Sequence, residues 1–67
     1  MIDAQLLDKK IDESGLKTIF IINKLGLSRS GYYKKKSGLT PFRSSEIYML
    51  SDLLKLDDSE KQSIFFK

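Results

Sequence analysis

Between Ser28 and Arg43 the chain gathers side chains that bind anions and form hydrogen bonds: Arg29, Ser30, Tyr33, Lys34, Lys35, Lys36, Ser37 and Arg43. Five of these are cations, and no acid occurs in residues 29–43. The flanks differ. Residues 1–28 set four lysines against four acids, and residues 44–67 set three lysines against five acids. The whole net charge of +3 therefore originates in one short stretch. A basic patch focused in this way points to a polyanionic partner, and the competing reading is a solvated lysine run.

Other chemistry is poorly supplied. The chain has no histidine and no cysteine, which removes the usual zinc sites, disulfides and most nucleophile–base pairs. No catalytic residue, metal site or cofactor is assigned. The carboxylate pairs Asp12/Glu13 and Asp57/Asp58 fall at expected helix ends, where capping and solvation account for them. Sixty-seven residues suit one domain with a small core, and 40% hydrophobic with 31% charged residues fits a folded globule better than a disordered tail. The longest unbroken apolar run, Ile19–Ile22, is far too short for a membrane span or a signal-peptide core, so a cytoplasmic protein is expected.

The elements that must position the basic stretch are legible from periodicity. Ile2, Leu6, Leu7 and Ile11 lie on one helical face, with Asp3 placed to cap the start and Gly15 to end it. Thr18–Leu25 reads as a second helix despite four β-branched or aromatic residues, because Ile21, Ile22 and Leu25 continue a helical stripe and no hairpin partner is near. Gly26 ends it. Ser28 caps a third helix that runs to about Lys36, with Tyr32 as its main apolar residue, pointing inward. Ser37-Gly38 closes that helix, and a loop pinned by Pro41 and anchored by Phe42 follows. Ser44 or Ser45 is expected to cap a fourth helix reaching about Lys55, with Ile47, Leu50, Leu53 and Leu54 on one face. Asp57-Asp58-Ser59-Glu60 offers an acidic capping box for a last helix, Ser59 to Phe66. The fold class is all-α with five helices.

A short helix, a glycine turn and a polar helix outline a helix-turn-helix, whose second helix lies in the DNA major groove and must be basic and hydrogen-bonding outside. The run Thr18 to Gly38 resembles the lambda-repressor-like (Xre/Cro-type) helix-turn-helix family. In that family a polar residue opens the first motif helix, Leu-Gly-Ile-Ser forms the turn, and the recognition helix ends near Asn-Gly. Leu25-Gly26-Leu27-Ser28 and Ser37-Gly38 match those landmarks, and Phe42, Glu46-Ile47, Leu50 and Ile64-Phe65-Phe66 look like a subgroup of small phage and prophage regulators. The resemblance covers roughly residues 3–66. Two departures stand out. Ile22 replaces the alanine common four residues before the turn glycine, leaving Gly31 to supply room. Lys35 and Lys36 stand where an apolar residue is usual, so one lysine stem should cover the core with its amine in solvent.

By position, the resemblance implies that Arg29, Ser30, Tyr33 and Lys34 contact bases, with Arg29 the stronger specificity residue because its fork pairs with guanine. It implies backbone contacts from Thr18, Ser28, Lys35, Lys36, Ser37 and Arg43. The partner would be double-stranded operator DNA, bound as a homodimer; the apolar C-terminus Ile64, Phe65 and Phe66 is a candidate dimer surface, although Phe65 and Phe66 are more often ordinary core. The function implied is a sequence-specific transcriptional regulator of Cro or repressor type. A protein-interaction module on the same scaffold, such as an antirepressor or antitoxin-like adapter, is the alternative.

Overall fold

The spacing of apolar residues in this chain buries one stripe of each short segment, and the computed structural model, which describes residues 2–66, realises it entirely with helices. They are α1 (Ala4–Ser14), α2 (Thr18–Leu25), α3 (Arg29–Lys36), α4 (Ser44–Leu53) and α5 (Asp58–Phe65). Among the described residues there is no strand, and no helix is long and apolar enough to cross a membrane.

Local signals set most boundaries. The Asp3 carboxylate accepts from the Leu6 N–H at 3.1 Å, satisfying one free amide of the first turn of α1. At the end of α2, Gly26 adopts φ 69°, and its N–H and that of Leu27 return to the carbonyls of Asn23 and Ile22. Only glycine takes that left-handed conformation without strain, so the turn into α3 depends on it. The reciprocal pair expected at Asp57 and Glu60 forms: the Glu60 N–H donates to Asp57, and the Asp57 N–H donates to Glu60. This helix begins at Asp58, one residue before the expected start.

The cap of α4 differs from expectation. Neither Ser44 nor Ser45 caps it; Arg43 occupies the N-cap position, and its backbone N–H donates to Glu46 Oε1 at 2.8 Å. A carboxylate three residues inside the helix reaches back to that N–H, which makes a capping hydroxyl unnecessary there. The helix also stops at Leu53, because Lys55 turns into the left-handed region at φ 53° and sends the Leu56 N–H back to the Ser51 carbonyl.

The core draws on four helices. Leu7 and Ile11 of α1, Ile21 of α2, Leu50 of α4 with Leu54 beyond it, and Ile64 and Phe65 of α5 form one buried cluster. α2 packs chiefly on α4, and α1 on α5. The Asp3 N–H donates to the Ile64 carbonyl at 2.7 Å, and Lys10 pairs with Glu60, so the start of the chain is held to its last helix at two points. Ile64 and Phe65 are thus core residues, not a dimer surface, since α5 must turn them inward to cover α1. Only Phe66 of that trio stands outside, 57% exposed.

Lys55 carries a Cβ where the backbone favours none. Lys55→Gly should stabilise the protein by about 0.5–1 kcal/mol, the left-handed penalty less the extra flexibility of unfolded glycine, measured by urea unfolding.

Candidate functional site

α3 divides cleanly into two faces. Arg29, Ser30, Tyr33 and Lys34 are exposed, whereas Tyr32 is fully buried and Lys35 and Lys36 are largely covered. Positions four apart share a helical face, so the outer four form a continuous strip along the first two turns.

The helix opens as its sequence requires. Ser28 Oγ accepts the Gly31 N–H at 3.0 Å. A Cβ at Gly31 would lie 3.1 Å from that same oxygen and within 4 Å of no other group its own helix does not supply. The missing side chain therefore spares the cap; it does not make room for Ile22, which is buried without that help. At the other end Gly38 takes φ 88°, the Leu39 N–H returns to the Lys34 carbonyl at 3.0 Å, and Ser37 Oγ donates to the same carbonyl at 2.9 Å.

Three side chains on the inner face hold α3 to the rest of the molecule. The Tyr32 ring meets Phe42 edge-on at 6.3 Å, and Phe42 meets Phe65 of α5 at 5.7 Å. Phe42 thus anchors the loop as expected, and carries α3 to the core. The Tyr32 hydroxyl is buried and hydrogen-bonds to no other described residue. Burial pushes its phenol up to about 12, and the nearby charges of Asp8 and Tyr33 add to the effect.

Lys35 and Lys36 do not serve as the free cations expected of them. Lys35 Nζ donates to Glu46 Oε1 at 2.6 Å, with both side chains under one-sixth exposed. Its stem does cover the core, but the amine is paired instead of reaching solvent, because α4 presents a carboxylate beneath it. Lys36 Nζ donates to Asp8 Oδ1 of α1 at 2.8 Å and lies over the Tyr33 ring at 5.1 Å from its centre. Both lysines are neutralised within the fold and tie α3 to α4 and α1.

Glu46 and Asp8, absent from the sequence-derived site, decide this outcome. Burial pushes the Glu46 carboxyl up, but the Lys35 hydrogen bond, the Arg43 N–H and the charges of both cations outweigh it and hold the group below its ordinary value. The available signal in the sequence was a lone glutamate at the third position of a helix directly after a basic loop.

What remains outside is a smaller basic surface. Arg29, Lys34 and Arg43 are exposed and form no ion pair among the described residues. Ser28 and Ser37 are exposed but engaged in the two ends of α3. Thr18 is half-buried at the start of α2, a helix that opens with no side-chain cap. This strip can donate hydrogen bonds and offer positive charge; it contains no acid.

No protein-family model, curated protein or solved structure matches the chain.

Two measurements check how α3 is held. Glu46→Gln keeps an acceptor for the Arg43 N–H but leaves the Lys35 ammonium without its counter-charge, and should lower stability by roughly 1–3 kcal/mol at pH 7. Because the folded value of Glu46 lies below 4.5, the parent's advantage is complete above that pH and fades as the pH falls through the folded value, so the gap between the urea midpoints of parent and variant should be widest near pH 7 and should narrow as the pH is taken down through the acid range. Tyr32 acts at the opposite end of the scale. Its burial costs the fold no ionisation below pH 10, and stability is lost as the pH rises towards about 12 because the unfolded phenol ionises first. Tyr32→Phe should therefore resist alkaline unfolding, followed by circular dichroism, while matching or slightly exceeding the parent's stability at pH 7.

Proposed function

We propose that the chain is a sequence-specific DNA-binding regulator of the lambda-repressor-like type, binding double-stranded operator DNA through α3. The observation that carries this reading is the division of α3. Its inner face is wholly committed to holding the helix, while its outer face presents Arg29, Ser30, Tyr33 and Lys34 together with no acid among them. The outer face of any packed helix is polar, but a helix that enters the major groove needs donors and no acid.

Within this reading each group has a distinct role. Arg29, on the first turn of α3, donates two parallel hydrogen bonds to a guanine edge, with Ser30 beside it. Lys34 and Arg43, the other unpaired cations of the basic stretch, meet flanking phosphates. The first-turn amides of α2 at Thr18 suit a phosphate oxygen, since dipole and unpaired N–H groups face it together. Lys35 and Lys36 act indirectly, by fixing the angle of α3.

One copy of so short a strip makes few base contacts, so operator affinity requires two copies on a two-fold site. The exposed Phe66 and Tyr48 flank a groove of about 220 Å³ between α4 and α5 and supply the apolar surface for a second copy. Sedimentation should find two copies per operator, and a monomer on DNA would overturn this arrangement.

Selection from a random DNA library, followed by titration across salt, tests the main proposal. A palindromic site should be enriched. With three unpaired cations on this strip in each copy, the log–log salt slope for a dimer should be roughly −5, against about −9 if Lys35 and Lys36 also released counterions. Arg29→Ala should cost about 1–3 kcal/mol on the selected site and blur discrimination at one base pair per half-site. An absence of salt-dependent binding, with a tight complex to another protein, would favour the interaction-module reading instead.

A further inference from the structure

Tyr33 is held in a way that its neighbours on the outer strip are not. Its ring meets the edge of Tyr32 at 5.2 Å, and Tyr32 is completely buried. The Lys36 ammonium covers the ring at 5.1 Å from its centre and is itself anchored on Asp8 at 2.8 Å. A core aromatic and a tethered cation thus fix the ring, yet 45% of the residue remains exposed. Arg29, Ser30 and Lys34 have no comparable restraint. Tyr33 also provides the one sizeable apolar surface on that strip, the other three residues being polar or charged.

We propose that Tyr33 is a specificity-determining residue whose ring packs on the C5-methyl group of a thymine in the major groove. The proposal rests on the DNA-binding reading of α3 and adds to it a named chemical target. The thymine methyl is the apolar group that base edges present in that groove, so it is the natural counterpart of an exposed ring on an otherwise polar face. Position supports the match. Tyr33 lies four residues beyond Arg29, about 6 Å along the helix axis, which corresponds to roughly two base steps. The ring is ordered before binding, so the contact costs little additional side-chain entropy. A phosphate contact, by contrast, would use the hydroxyl and would be lost in Tyr33→Phe.

The experiment compares the selected operator with copies in which each thymine in turn is replaced by deoxyuridine, which deletes only the methyl group. Binding is followed by fluorescence anisotropy. One thymine per half-site, within about two steps of the guanine read by Arg29, should prove sensitive, with affinity falling about four-fold per half-site and about fifteen-fold when both are replaced. Tyr33→Ala should bind the thymine and uridine forms equally, and Tyr33→Phe should keep the parent's discrimination. Circular dichroism establishes that both variants fold. The inference is overturned if every uridine replacement is neutral, if Tyr33→Ala still distinguishes the two forms, or if Tyr33→Phe loses as much affinity as Tyr33→Ala. An enriched operator with neutral uridine replacements defeats this inference alone; failure to enrich any DNA defeats the reading beneath it.

Discussion

A helix built to face outward must still be fastened to something. α3 has the sequence Arg-Ser-Gly-Tyr-Tyr-Lys-Lys-Lys, with a single buried residue, and lies outside the main apolar cluster. Ordinary packing on an apolar stripe cannot hold it. The Lys35–Glu46 pair supplies much of what is missing. The contact joins α3 to α4 at a largely water-excluded point, and the same carboxylate oxygen accepts the N–H that begins α4. One glutamate thereby caps α4, orients the helix before it and ends the loop between them. Such a pair contributes little net stability relative to an apolar substitute, but breaking either half leaves a covered charge without compensation. It therefore defines geometry more than it deepens stability.

The same contact changes what the charge distribution means. Five cations in residues 29–43 suggested a broad electropositive surface. Two of them are answered by acids on either side of that stretch, Asp8 and Glu46, so its unpaired surface narrows to Arg29, Lys34 and Arg43. The overall charge is unaltered; its accessible part is smaller and more localised. For a partner that releases counterions, number and placement of free cations matter more than their total in the sequence.

A second line of attachment runs through aromatic rings. Tyr33, Tyr32, Phe42 and Phe65 meet edge-on in succession, connecting the outer strip of α3 through the loop to the core end of α5. Because α5 is in turn bonded to the start of α1, the outer strip is backed by the meeting point of both ends of the described chain. In so small a molecule few layers separate surface from core, and rings spanning that distance transmit position efficiently. Phe42, a loop residue, is thus the ring through which Tyr32 of α3 reaches Phe65.

The five helices were legible in the order of residues because their signals are local. Asp3, Gly15, Gly26, Ser28 and Asp57 act on backbone groups within a few residues of themselves, and the 3.6-residue stripes of α1, α2 and α4 specify which faces turn inward. Tyr32 was likewise legible, as the main apolar candidate of a polar helix. What tertiary structure decided was the fate of groups whose partners lie far along the chain. Lys36 meets Asp8 across 28 residues and Lys35 meets Glu46 across 11, distances over which no local pattern operates. Ile64 and Phe65 became core for the same reason, since only the docking of α1 on α5 gives them a surface to cover. A side chain's type announces what it can bind; whether the fold has already answered it depends on which elements pack together.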